Sequence, residues 1–338
     1  MKAELKPLAE QTIVITGATS GHGLATAKQA AAAGARVLLV ARDAEALAKV
    51  QGEIRADGGV AETVSADVGV EEDIDRVVDL AVKRLGGFDT WVNNAGIGVY
   101  GDALEVSTED HRRVFDTNYW GVVYGSLAAV RHLKEKPGGG ALVNVGSINS
   151  DIPGPLLSSY NASKHAVKGF TDSLRIEMLA ADAPVSVTLI KPSAIGTPFP
   201  EHGRNLTGHQ ATLPPPIYAP GLVADAILDA AQHPRRSITV GGAGQFQILG
   251  SILFPWLFDR IASGMGGALI DTSKPIPRQD GNLHEPQGDD GRIEGRQRGR
   301  GFSVYTAAQT HPAQAFGALA LLGATGLGAL LLARRRSA

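Results

Sequence analysis

The chain has 338 residues, 43% hydrophobic and 20% charged, with a formal net charge of −2. That balance offers no broad basic surface for nucleic acid, and the length allows two domains or one large α/β unit with additions. With no cysteine, disulfides, thiol nucleophiles and cysteine metal ligands are excluded, which fits a reducing compartment; no metal site is expected.

The N-terminus, "MKAELKPLAEQTIVITG", has neither a long apolar core nor a small-residue cleavage site. No secretory signal is read there, so a cytoplasmic catalytic domain is expected. From Thr12 to about Gly242, short β-branched runs alternate with longer Ala-rich amphipathic segments. The runs are 12–16, 36–41, 61–66, 89–94, 141–147, 185–191 and 237–242, and the segments between them include 21–33, 43–57 and 71–86. This alternation predicts an α/β fold with a parallel seven-stranded sheet covered on both faces. The 42 glycines suit its many tight βα turns. The Pro-rich stretch 194–220 is long for a connection and follows the sixth strand at the edge where such sheets bind ligands. Beyond residue 250 the alternation stops. Residues 248–270 are apolar and helical in pattern, with Pro255 as a break. Residues 271–301 are polar and rich in Gly and Pro, the composition of a flexible linker. Residues 313–333, "AQAFGALALLGATGLGALLLA", carry no charge and end at Arg334, Arg335 and Arg336. Such a run is long enough to cross a hydrocarbon core, so a C-terminal membrane helix is expected. For a cytoplasmic domain that helix would place three arginines on the far side, against the positive-inside tendency, which leaves its topology open. The expected organisation is a dinucleotide-binding catalytic domain over 1–247, an apolar segment and linker over 248–312, and a membrane helix with a basic end over 313–336.

Several short motifs carry chemistry. "TGATSGHG" (16–23) follows the first strand and opens a helix. Its glycines let the backbone turn tightly and approach a pyrophosphate, and the helix start offers free N–H groups. Alone, glycines at such a turn are weak testimony. "NNAG" (93–96) ends the fourth strand, where Asn side chains can hold a turn. Asn118 sits inside a helical pattern and disfavours it. It is either a tolerated surface residue or the mark of a local distortion that exposes a polar relay group. Ser147 ends the fifth strand. Tyr160 and Lys164 lie four residues apart, one above the other on a helix face, where a positive charge would pull the phenol's pKa down.

In this order and at this spacing, "TGATSGHG", "NNAG", Asn118, Ser147 and "YNASK" resemble the short-chain dehydrogenase/reductase family over roughly residues 10–245. The resemblance implies a Rossmann-like doubly wound sheet and a nicotinamide cofactor. It implies Tyr160 as general acid/base, and Lys164 as the residue that binds the nicotinamide ribose and lowers the Tyr pKa. Ser147 would hold the substrate oxygen, and Asn118 would anchor a water in a proton relay. The implied cofactor site is Gly17, Ser20, Gly21, His22, Gly23, Arg42, Asp67, Val68, Asn93, Ala95, Gly96, Tyr160, Lys164, Pro192, Ile195 and Thr197. One departure is Pro192-Ser193, where the family usually has Pro-Gly, which puts the path of the following loop in question. The second strand ends at Ala41 and Arg42 rather than at an acidic residue, so NADP(H) is expected over NAD(H); the competing reading gives Asp43 the acidic role. The expected activity interconverts a secondary alcohol and a ketone or aldehyde. Loop 194–220 and segment 248–270 could form an apolar lid for a lipophilic substrate. The alternative is a non-catalytic nucleotide-binding subunit or scaffold at a membrane. Family resemblance also suggests a homodimer or homotetramer through helices near 107–133 and 160–181.

Overall fold

Seven apolar runs become seven parallel strands: β1 (Thr12–Thr16), β2 (Arg36–Ala41), β3 (Val60–Ser65), β4 (Thr90–Asn93), β5 (Gly140–Val145), β6 (Val185–Pro192) and β7 (Ser237–Val240). The computed structural model describes residues 3–288 and 291–311. The strands lie in the order β3-β2-β1-β4-β5-β6-β7. The predicted runs and the observed strands agree to within two residues or so at their ends.

Every residue of β1, β4 and β5 is buried, which is why these runs are unbroken rather than alternating. Successive side chains still point to opposite faces. Ile13, Ile15, Val37 and Leu39 face one core with helices α1 (Gly21–Ala32) and α2 (Ala44–Ala56). Val14, Leu38, Val40 and Leu142 face the other core, with Ile74, Val77 and Ala81 of α3 (Glu71–Leu85). The order reverses between β1 and β4. Their loops therefore diverge, leaving a crevice at the carboxyl edge of the sheet.

Among the described residues seven longer helices follow, with two single turns at Phe199–His202 and Gly266–Leu269. The seven are α4 (Thr108–Phe115), α5 (Gly121–Glu135), α6 (Ser158–Ala180), α7 (Pro220–Gln232), α8 (Gly242–Leu253), α9 (Pro255–Ser263) and α10 (Val304–Thr310). A π-helical turn, Asp116–Trp120, joins α4 to α5. The apolar segment 248–270 is helical with its break at Pro255, as expected. Helix α10 lies along the sheet-edge strand β7. There the Gly241 N–H donates to Thr306 Oγ1 (3.0 Å), and Gln309 Nε2 donates to the Thr239 carbonyl (2.9 Å).

Residues 271–301 are not the flexible linker that their composition suggests. Ile270–Pro275 pairs antiparallel with His209–Ala211. Further on, Asn282 N–H donates to the His202 carbonyl (2.7 Å), Gly295 N–H to Gly196 (3.0 Å) and Arg300 N–H to Ile217 (2.9 Å). Leu283 is fully buried among Ile97, Val99, Val106, Val114 and Leu206. The glycines here serve close approach rather than flexibility. A Cβ at Gly281 would lie 2.4 Å from the His202 carbonyl oxygen, and one at Gly299 would lie 2.0 Å from Tyr218 backbone. Linker-like composition thus encodes a strap laid tightly against the domain.

Among the described residues no helix is long and apolar enough to cross a membrane. The run 313–333, expected as a membrane helix, lies outside the described residues.

Candidate active site

Two adjoining cavities occupy the crevice. One, of about 380 Å³, is lined by Ser147, Tyr160 and Lys164 together with apolar side chains that include Leu157, Phe199 and Phe258. The other, of about 150 Å³, is lined by Gly17, Ser20, Gly21, Arg42, Asp67 and Val68. His22, Asn94, Gly96, Thr197 and Phe199 border both, so one groove runs from Arg42 to Tyr160.

Tyr160 opens α6 and Lys164 follows one turn later, as the spacing requires. Lys164 Nζ donates to the Val145 carbonyl at 2.9 Å and lies 5.7 Å from the centre of the Tyr160 ring. The Tyr160 ring packs against Phe199, with centroids 5.3 Å apart. Burial pushes the phenol up to about 12, against a hydrogen bond with Ser147 that pulls it down. Desolvation is the larger of these two influences on the phenol. Burial also brings Lys164 down to about 8.

Asn118 is not a surface residue: the local distortion of its second reading is present, but it does not expose the side chain. The π-helical turn carries it into the interior, where it is fully buried. Its Oδ1 accepts from Ile97 N–H (2.9 Å), while Nδ2 donates to the Ile97 carbonyl (2.9 Å) and to Ser163 Oγ (3.0 Å). It braces the segment after β4 against α6.

Asn93 is not brought to the groove. Its side chain points into the core, accepting from Trp91 Nε1 (2.7 Å) and donating to Asn144 Oδ1 (2.9 Å) and Ser126 Oγ (3.1 Å). The groove residue is its neighbour Asn94, which the sequence reading did not single out. Strand alternation sends adjacent residues to opposite sides, and "NNAG" does not say which Asn faces the crevice. Asn94 Nδ2 donates to the Thr16 (2.8 Å) and Gly17 (3.2 Å) carbonyls. Its Oδ1 therefore faces His22 Nδ1, 2.6 Å away, and the imidazole carries its proton on that nitrogen. Burial brings His22 down to about 4; the Asn94 hydrogen bond opposes the shift and the Lys164 charge adds to it.

The glycines of the first turn behave as their motif predicts. Gly17 has φ +66°, and a Cβ there would sit 2.9 Å from the Ala95 Cα. Gly23 lines neither cavity; its missing Cβ makes room for the Gly17 carbonyl, 2.1 Å from where that atom would be. Asp67 pairs with Arg113 at 2.6 Å. Burial alone would raise the Asp67 carboxyl, but Arg113 and the Gly69 N–H hold it below its ordinary range. Arg113 carried no sequence signal, since an Arg on an amphipathic helix looks like any solvated charge. Asp43 caps α2, its Oδ1 accepting from the Glu45 and Ala46 N–H groups (both 3.0 Å), an N-cap role that competes with its use as a ribose ligand. Pro192, Ile195 and Thr197 line the larger cavity. Ser193, in place of the expected glycine, ties the loop to β7 through N–H (3.0 Å) and Oγ (2.7 Å) bonds to the Val240 carbonyl.

This groove fits a dinucleotide. Gly17, Ser20 and Gly21 line it at the start of α1, where the Gly21 N–H already donates to the Arg292 carbonyl (2.9 Å), and Arg42 borders the far end.

The short chain dehydrogenase family model matches residues 11–205. The chain belongs to the short-chain dehydrogenase family. It is 43% identical over 316 residues to the uncharacterized oxidoreductase YxnA of Bacillus subtilis (strain 168), covering 92% of this chain and 88% of that protein. It is 37% identical over 190 residues to 3beta-hydroxysteroid dehydrogenase 1 of Eggerthella lenta, covering 56% and 72% respectively. Among solved structures it resembles a short-chain dehydrogenase/reductase from Burkholderia phymatum in complex with NAD. That match has TM-score 0.68 and 26% identity, and covers 75% of this chain and 96% of that one. As a family member the chain is an oxidoreductase acting on CH–OH donors with a nicotinamide cofactor, which sets aside the non-catalytic scaffold.

The His22 shift makes a pH prediction. Its folded value, about 4, lies below its ordinary value of 6.5. Between these the unfolded chain binds the proton and the folded chain does not, so stability rises with pH through that window. The contribution is complete above pH 6.5 and falls away as pH drops toward 4. Urea midpoints measured from pH 7 to 4 are expected to decline less steeply in His22→Gln than in the wild type. Parallel profiles would contradict a buried neutral imidazole.

Proposed function

We propose that the chain interconverts a lipophilic secondary alcohol and its ketone, or an aldehyde, with NADP(H) preferred to NAD(H). The carrying observation is the apolar cavity that opens directly onto Ser147 and Tyr160. Its walls come from loop 194–220, from α8 and α9 and from the turn after them, and include Leu213, Phe258, Ile261 and Leu269. The relative named as a 3β-hydroxysteroid dehydrogenase points to the same class of substrate.

When bound, the nicotinamide supplies or takes up the hydride. In reduction, Ser147 holds the carbonyl oxygen and Tyr160 protonates it as negative charge develops there. A phenol held up to about 12 is fully protonated at neutral pH, so it acts as the acid without prior titration. Lys164, buried beside the ring, stabilises the phenolate that results, and Asn118 holds the segment that carries Gly96 in register with α6. Acid catalysis of this kind contributes about 10²–10⁴-fold. Tyr160→Phe is therefore expected to lower kcat by about that factor with cofactor affinity retained. Near-native turnover of a verified substrate by the variant would remove Tyr160 from the proton step.

NADP(H) preference rests on Arg42 at the groove's far end, whose positive charge would favour a 2′-phosphate although Nη1 and Nη2 also donate to the Asn282, Leu283 and His284 carbonyls. Asp43's engagement as a helix cap supports this choice. Arg42→Ala is expected to lower kcat/KM for NADPH by about tenfold more than that for NADH. Equal losses with both cofactors, or a native preference for NADH, would refute it.

The run 313–333 is proposed as a membrane anchor. Its support is its length without charge, together with the exposed apolar side chains of the α8–α9 hairpin, Phe246, Ile252, Leu253 and Trp256, beside the substrate cavity. Full-length protein is expected to stay in the pellet after carbonate extraction, and a chain ending near residue 311 to be released. Release of both would discard the anchor.

A further inference from the structure

The strap crosses the nucleotide half of the groove. On one side of the 150 Å³ cavity stand Gly17, Ser20, Arg42 and Asp67; on the other stand Asn282, Pro286 and Gln287 of the strap. The strap does not fill this space but walls it. It is anchored at both borders of the cavity. At one border Leu283 is fully buried, and the carbonyls of Asn282, Leu283 and His284 accept from the Arg42 guanidinium. The Leu283 carbonyl also accepts from Arg113 Nε at 3.0 Å, and Arg113 in turn holds Asp67. At the other border the Gly21 N–H at the start of α1 donates to the Arg292 carbonyl (2.9 Å), and Gly291 N–H donates to Thr19 (2.7 Å).

Two polar atoms are left without partners around this cavity. Asn282 Oδ1 and Thr117 Oγ1 are both buried and unbonded, and their residues line it from the strap and from the π-helical turn. A buried polar atom without a partner is costly, and such atoms at a cavity wall mark a place for a ligand's hydrogen bonds.

We propose that the strap, residues 279–288 and 291–300, is the outer wall of the nucleotide site, with Asn282 Oδ1 accepting a hydrogen bond from the adenosine half of the cofactor. The strap carbonyls also position Arg42. The cofactor then lies between the sheet edge and the strap, and the strap parts for it to leave. This inference rests on the nucleotide reading of the groove given above.

The test uses the full chain and two probes. Adenosine 2′,5′-bisphosphate represents the adenosine half alone, with binding followed by calorimetry. Asn282→Ala is expected to weaken it about 3- to 10-fold, the loss of one hydrogen bond. NADPH is expected to slow tryptic cleavage after Arg298, whose side chain is exposed, because a roofed cofactor holds the strap down. Unchanged affinity in Asn282→Ala would overturn the proposal. So would cleavage that NADPH leaves unaltered or accelerates, since the strap would then stand outside the site or compete for it. A wild-type chain that binds neither probe would overturn the nucleotide reading and the wall with it, and is told apart from the other failures by the wild-type titration alone.

Discussion

The side chain of Asn94 ties the two halves of the site together. Its amide spans the gap between the diverging loops after β1 and β4, bonding two carbonyls of the first turn on one side and the His22 ring on the other. Thr16 Oγ1 completes the stitch by accepting from the Asn94 and Ala95 N–H groups (2.9 and 3.0 Å). Without this bridge the reversal in strand order would leave two loops free to separate. With it, the crevice has a rigid floor that borders both the nucleotide cavity and the catalytic one. The missing Cβ of Gly23 belongs to the same constraint, since that atom would lie 2.3 Å from Asn94 Nδ2.

Burial governs the chemistry above that floor. His22, Tyr160 and Lys164 are all displaced in the direction that favours their neutral forms. A low-dielectric groove disfavours charge but strengthens the interactions of any charge that does develop in it. The phenol is held as an acid, the imidazole as a neutral hydrogen-bonding group, and the ammonium as a cation close to its own release.

The C-terminal part of the chain adds two layers to this core. Helices α8 and α9 line the substrate side, α9 with apolar side chains such as Phe258 and Ile261. The strap closes the nucleotide side with backbone carbonyls, and its own charges are taken up by the domain, as with Arg292 on Glu201 at 3.2 Å. One extension thus meets both ends of the groove, and it does so with residue types that would be at home in a disordered tether.

The strands, the helices between them and the Tyr160–Lys164 pair were legible from sequence because each depends on neighbours in the chain. Alternation, helical spacing and glycine at a turn are local rules, and seven buried parallel strands print them clearly. The choice of Asn94 over Asn93, the pairing of Arg113 with Asp67 and the inward turn of Asn118 depend on partners tens of residues away. For these the sequence alone left alternatives or gave no sign. The strap shows the difference most sharply. Gly281 and Gly299 look like flexible positions when only composition is weighed, and become obligatory once another stretch of backbone is packed where their side chains would be. Sequence determined the fold and the placing of Tyr160 beside Lys164, because hydrogen-bonded elements are built from contiguous residues. Tertiary structure decided which groups face the groove and what walls it, because those depend on approach between segments whose separation in the chain hides their contact.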